Sequence, residues 1–229
     1  MSHDLHRTGL SLPPRVALAD VGPDDPLEYY YRPHTAWLYR ARLRLALRVL
    51  GEGSYDSLLE VGYGSGILLP ELTRRADRVA AIDVHPYRRA VEMAMDGLGV
   101  GAVLMDASLF EIPFPDDAFD ALVCLSVLEH VTELDAAFEE FARVLRPGGV
   151  AVIGFPVRNP LTDGLFRLLG YHPREIHPSS HTDIIRAGQR SANLRLERSE
   201  QIPRLLPRPL SAYVVIRLLG RGATLGGGL

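Results

Sequence analysis

The sequence predicts an α/β fold: a mostly parallel sheet with helices on both faces. Two observations carry that prediction. Between residues 56 and 156, short apolar runs alternate with stretches of helical period, which is the pattern of successive βαβ units. The first apolar run also ends in a turn with glycines at 62, 64 and 66, at the strand end where open parallel sheets bind their ligands. A chain of 229 residues can bury one full core, and a single domain is expected over 1–229.

The elements follow in order. Residues 1–30 contain Pro13, Pro14 and the run Gly22-Pro23-Asp24-Asp25-Pro26, and read as irregular. A helix is predicted from about Thr35 to Leu50. Trp37, Leu38, Ala41, Leu45 and Val49 recur at steps of three and four, while Arg40, Arg44 and Arg48 line a solvated face. Residues 1–50 together read as an N-terminal helical lid. Strands are predicted at 57–61, 78–84, 101–106 and 149–156, and helices at 67–76 and 86–95, the second with Pro86 in its first turn. The run 119–131 begins as a strand and turns near Ser126. Residues 133–145 form an amphipathic helix stopped by Arg146-Pro147-Gly148-Gly149. Beyond this core, 56–156, the alternation breaks. Residues 157–193 read as two short helices around a histidine- and proline-rich loop. The segments 194–202 and 212–219 read as a late strand pair, 194–219, paired like a hairpin.

Composition narrows the classes. With 47% hydrophobic residues, 23% charged residues and a net charge of -3, the chain has no overall attraction for nucleic acid. Charge is unevenly distributed: residues 51–157 hold 18 acidic and 7 basic side chains, and residues 158–229 hold 5 and 11. A lone cysteine, Cys124, excludes an internal disulfide framework. No apolar run approaches ~20 residues, and the opening MSHDLHRTGL lacks the apolar stretch of a signal peptide. A cytoplasmic protein without a membrane partner is the resulting expectation.

The glycine turn identifies a ligand class by what it lacks. A dinucleotide fingerprint needs glycine or alanine at its sixth position; counted from Gly62 that residue is Ile67, and from Gly64 it is Leu69. A phosphate loop needs a lysine, and the chain has none. Glu60, directly before the turn, would repel a pyrophosphate and attract a cation. Asp83, 17 residues beyond Gly66, ends the second strand, where a carboxylate accepts hydrogen bonds from both hydroxyls of a ribose. Asp106 ends the third strand, where its carboxylate would receive a base amino group and the backbone N–H of Ala107 a ring nitrogen. A cationic or zwitterionic nucleoside fits this set.

Four stretches, LLEVGYGSG (58–66), AAIDVHP (80–86), MDASLFEIPFPDDAFDALVCLSVLEHV (105–131) and EEFARVLRPGGVAVIGFP (139–156), together resemble the class I S-adenosylmethionine-dependent methyltransferases. The likeness is greatest to the small-molecule branch of ubiquinone/menaquinone-biosynthesis-like enzymes. The resemblance implies a Rossmann-like seven-stranded sheet of order 3-2-1-4-5-7-6 with strand 7 antiparallel, and S-adenosylmethionine as cofactor. It places Glu60, Gly62, Tyr63, Gly64 and Gly66 around the methionine part, Asp83 and Val84 at the ribose, Asp106 and Ala107 at adenine, and Leu125 and Ser126 along the cleft. Tyr63 departs from the small or acidic residue usual between the first two glycines.

Transfer of a sulfonium methyl needs alignment more than it needs a metal, and none is expected. A base helps when the acceptor is a hydroxyl, and histidine suits that role near neutral pH. His177, His181 and His130 are the candidate bases, beside readings as ordinary loop or cleft histidines. Tyr29, Tyr30, Tyr31, His172 and Arg186 are the candidate acceptor-binding residues, with packing or solvation as their alternatives. Asp183 reads as an acceptor contact or a helix cap. The expected activity is methylation of a small-molecule acceptor at oxygen, by a monomer or homodimer. A noncatalytic or non-methylating cofactor-binding protein is the alternative, and further behind it an NAD-dependent oxidoreductase, which the absence of lysine disfavours.

Overall fold

In a computed structural model, which describes residues 10–23, 25–157, 178–205, 207 and 210–221, a seven-stranded sheet lies between two layers of helices. Its strands are β1 Tyr55–Val61, β2 Ala76–Asp83, β3 Val103–Asp106, β4 Phe119–Leu125, β5 Leu145–Pro156, β6 Leu194–Ile202 and β7 Tyr213–Gly220. They stand in the order β3-β2-β1-β4-β5-β7-β6. The first five pair in parallel, and β7 runs antiparallel to both β5 and β6. This is the expected architecture, with the late strand pair formed as an antiparallel ladder.

Helices α1 Ala36–Leu50, α2 Leu69–Leu72 and α3 Arg88–Gly97 cover one face; α4 Leu134–Val144 and α5 His181–Arg190 cover the other. Successive strand residues feed opposite cores. Leu58, Val123, Val152 and Val215 pack beneath the first layer, whereas Leu59, Cys124, Ile153 and Ile216 pack beneath the second. Burial on both faces is why these strands read as continuous apolar runs. The sheet also fixes where a ligand can enter. With β2 on one side of β1 and β4 on the other, the connections diverge at the carboxyl end of β1 and open a crevice there.

Several boundaries differ from expectation. The helix predicted over 67–76 is a single turn, because Ala76, Arg78 and Val79 join the ladder opposite Tyr55, Ser57 and Leu58. Buried Glu71 ties this short connection together, holding Arg74 at 3.0 Å and Arg75 at 2.7 Å. Pro86 lies in the turn ahead of α3 rather than in its first turn. The Arg146–Gly149 turn belongs to β5, which starts directly after α4. The register jumps from Phe119↔Leu145 to Ala121↔Val150, leaving a bulge in which Gly148 has φ 79°. Trp37, read as part of the apolar stripe, is 63% exposed; α1 buries Leu43, Leu45, Ala46, Leu47, Val49 and Leu50 instead. Residues 158–177, with His172, His177 and the first helix expected in the insertion, lie outside the described residues. No helix among the described residues is long and apolar enough to cross a membrane.

Candidate active site

The crevice beyond β1 is built around the glycine turn. Gly62, Gly64 and Gly66 have φ of 80°, 50° and 76°, a region L-residues avoid. Each also lacks room for a side chain. A Cβ on Gly62 would stand 2.2 Å from Val127 Cγ2, and one on Gly64 would stand 2.7 Å from Asp25 Oδ2. Gly66 packs against Val91 and Met95 of α3. The turn closes on itself and on β2: Gly66 N donates to Tyr63 O at 2.8 Å, and Gly62 N donates to Ile82 O at 2.8 Å.

Acidic groups gather at this turn. Glu60 is 5% exposed, and its Oε2 has no hydrogen-bond partner among the described residues. Burial, followed by Asp83 and Asp25, pushes its carboxyl well above the ordinary carboxylate range. Asp83 Oδ2 accepts from Gly64 N at 2.8 Å, and its Oδ1 accepts from Val84 N at 2.7 Å and His85 N at 3.3 Å. Asp25 reaches in from the N-terminal segment and accepts from Ser65 N at 2.5 Å. Tyr63 lies under the turn, 2% exposed, edge-on to His85 at 4.9 Å, with no hydrogen-bond partner for its hydroxyl among the described residues. Burial, then Asp83 and Asp106, raise that hydroxyl above the usual tyrosine range.

The nucleoside end is more open. Val84 is 77% exposed beside Asp83. Asp106 is exposed at the end of β3 and paired with Arg88, Nε to Oδ2 at 2.9 Å. The Ala107 N–H, expected to meet a ring nitrogen, donates to Asp83 O at 3.0 Å and helps join β3 to β2. In that respect the expected base contact differs from the observed hydrogen bonding.

Past β4, Leu125 is half-buried and Ser126 turns the chain with φ 58°. Ser126 N donates to Gly154 O at 2.7 Å, and its Oγ lies 3.0 Å from Tyr213 Oη at the start of β7. Glu129 follows in a short 3-10 helix, 3% exposed, with Oε2 unpartnered among the described residues. Burial pushes its carboxyl up to about 8. The next residue, His130, is exposed. Cys124 is buried, as expected for a thiol inside an apolar strand, and burial raises its pKa.

The remaining candidates divide between the two ends of the chain. His181 opens α5, and Arg186 is exposed on that helix. Asp183 serves as a cap: Ser180 and Asp183 form a reciprocal capping box. Tyr30 is buried; Tyr29 stacks on Tyr39 at 5.1 Å, and Tyr31 Oη donates to Pro13 O at 2.7 Å. These tyrosines surround a residue that sequence reasoning passed over. Arg42 lies 4.2 Å from the ring centre of Tyr39, 5.0 Å from Tyr213 and 5.6 Å from Tyr30, and donates to Tyr30 Oη at 2.8 Å. Its place in the apolar stripe, four residues after Leu38 and three before Leu45, was a readable signal. Asp25, Glu129 and Tyr213 were also missed.

Comparison with known proteins agrees with this geometry. Residues 59–153 match the family model described as "Methyltransferase domain". A probable S-adenosylmethionine-dependent methyltransferase of Mycolicibacterium smegmatis is 30% identical over 158 residues, covering 69% of this chain and 57% of that protein. The ubiquinone biosynthesis O-methyltransferase of Alkalilimnicola ehrlichii is 32% identical over 139 residues, covering 56% of this chain and 53% of that protein. The chain thus spans about half the length of the curated relatives it matches. Among solved structures, a geranyl diphosphate C-methyltransferase of Streptomyces coelicolor, with Mg2+, geranyl diphosphate and S-adenosyl-L-homocysteine bound, superposes with a TM-score of 0.67. Its identity is 18%, over 88% of this chain and 90% of that one, so the likeness is one of fold.

Proposed function

We propose that the core is a class I S-adenosylmethionine-dependent methyltransferase domain and that the chain methylates a small molecule at an oxygen atom. The observation that carries this reading is the unbalanced acid at the glycine turn. Glu60, Asp83 and Asp25 converge there, and no arginine pairs with any of them among the described residues. A ligand bearing a sulfonium and an ammonium balances such a site; a pyrophosphate does not. The unpartnered Glu60 Oε2 and Tyr63 Oη are the buried polar atoms a nucleoside amino acid would satisfy.

When bound, the cofactor supplies a methyl already activated on sulfur. Glu60, Gly62, Tyr63, Gly64 and Gly66 would hold its amino-acid half, Asp83 and Val84 its ribose, and Asp106 its base, with Ala107 lining that end while its N–H bonds Asp83 O. Leu125 and Ser126 form the wall past β4 along which the acceptor approaches. Holding donor and acceptor in line supplies most of what this displacement requires. On the acceptor side, Tyr29, Tyr30, Tyr31, His172 and Arg186 supply contacts, and His177, His181 or His130 takes the hydroxyl proton. The O-methyltransferase among the similar proteins supports oxygen as the accepting atom.

The test is a screen of candidate phenols, alcohols and amines with S-adenosylmethionine. It reads a mass gain of one CH2 in the acceptor together with formation of S-adenosylhomocysteine. Products methylated at nitrogen or carbon would overturn the oxygen assignment. Cofactor binding without any product across the screen would favour a non-methylating protein, and binding of NAD in its place would overturn the whole reading.

A further inference from the structure

We propose that Asp25 is a cofactor residue whose carboxylate, together with that of Glu60, holds the α-ammonium of the cofactor's methionine half. The inference rests on the methyltransferase reading above.

Asp25 arrives from outside the sheet, 40 residues before the amide it contacts. Its Oδ2 accepts from Ser65 N at 2.5 Å, and the Leu27 backbone N–H binds the same carboxylate, so the group is held from two sides. The neighbouring amide, Gly64 N, donates to Asp83 Oδ2. Two carboxylates therefore occupy consecutive amides of one turn, with Glu60 buried among them and one oxygen unpartnered. His85 Nε2 lies 3.7 Å from Asp83 Oδ2 and 3.0 Å from Gly64 O.

Carboxylates crowded without a counter-ion raise one another's proton affinity. Glu60 shows this, held well above the ordinary range by burial and then by Asp83 and Asp25; Asp25 is raised mainly by burial, against hydrogen bonds from Ser65 and Leu27, with Asp83 adding least. A cation is what the cluster lacks. Among the described residues no three His, Cys, Asp or Glu side chains are arranged to hold a metal ion. An ammonium has three donors, enough to serve both Asp25 and Glu60. Because Asp25 leads into the 3-10 turn Leu27–Tyr30, the same contact would fasten the tyrosine-bearing segment when the cofactor enters.

Calorimetric titration separates this role from simple support of the turn. The probes are S-adenosylhomocysteine, which carries the ammonium, and 5′-methylthioadenosine, which keeps the adenosine and thioether but has neither ammonium nor carboxylate. Asp25→Asn keeps an oxygen for the Ser65 amide and removes the charge. It should weaken S-adenosylhomocysteine at least about tenfold while leaving methylthioadenosine within about twofold. Equal weakening of both ligands, or of neither, would overturn the proposal. A second readout needs no variant: in the wild-type protein, S-adenosylhomocysteine should slow amide exchange at residues 25–31 and methylthioadenosine should not. Equal protection by both would also count against it. Wild-type protein that binds neither probe would sink the methyltransferase reading itself, a result distinct from intact binding that ignores Asp25.

Discussion

Replacing Gly62 with alanine asks how the crevice between β1 and β4 is held. Gly62 has φ 80°, and a Cβ there would lie 2.2 Å from Val127 Cγ2, just beyond the Ser126 turn. Two costs add. A left-handed conformation costs an alanine roughly 1–2 kcal/mol. Forcing a methyl into a packed contact costs about 1–3 kcal/mol more. The sum, about 2–5 kcal/mol, is a large share of the ~5–15 kcal/mol by which a domain is stable. Val127→Ala removes the opposing methyl, so in a four-protein cycle it should recover the overlap and leave the backbone cost. Urea unfolding of wild type, both single variants and the double variant should give a coupling of about 1–3 kcal/mol. A Gly62→Ala protein within about 0.5 kcal/mol of wild type, or a double variant with no coupling, would refute the close contact between the two strand ends.

Asp83→Ala should weaken S-adenosylhomocysteine by about 1–3 kcal/mol in calorimetry, since charge-assisted hydrogen bonds to the ribose are lost; unchanged affinity in a folded variant would remove Asp83 from the site. Glu129 titrates at about 8 when folded against 4.5 otherwise, so its stabilisation is complete below 4.5 and is lost as pH rises to about 8. Glu129→Gln should then match wild type near pH 4.5 and exceed it above about pH 8, by at most about 5 kcal/mol in urea unfolding. A wild-type protein that is the more stable one at high pH would contradict a buried, neutral Glu129. If a histidine is the base, alanine at one of His130, His177 and His181 should cut methyl transfer about 10²–10⁴-fold with little change in cofactor affinity. Full turnover after all three replacements would leave alignment alone to explain the rate.

Strands β1, β2, β4 and β5 were legible because their middles are buried on both faces and announce themselves as apolar runs; β3, at the sheet edge, buries only Leu104 fully. The order in which they pair has no local signature; it followed from resemblance. Residues 67–76 misled because their helical period competes with a ladder: Ala76 gains a partner in Tyr55, and no periodicity within the segment reports that partner. The acidic crevice was readable from the glycines just past β1 and from Glu60, Asp83 and Asp106, which stand at the carboxyl ends of their strands. Asp25 was not. It sits in a run of proline, glycine and aspartate that has every local reason to be a turn, and its partner is 40 residues away. The tyrosine cluster was visible, but its centre was not expected to be a guanidinium. The rings of Tyr30, Tyr39 and Tyr213 gather around Arg42.

The placement of β7 between β5 and β6 has a consequence for the order of synthesis. A growing chain completes β5 and then β6 before the strand that joins them exists. Until residues 213–220 appear, Val150 to Phe155 form an open apolar edge, the kind of surface that recruits neighbouring chains. The same late strand brings Tyr213 to Ser126. The glycine turn and the residues that hold it, from Ile82 to Val127, all precede β7 in the chain, whereas the turn past β4 gains its Tyr213 contact only with the seventh strand. The strand that seals the sheet is thus also the one that completes the Ser126 turn.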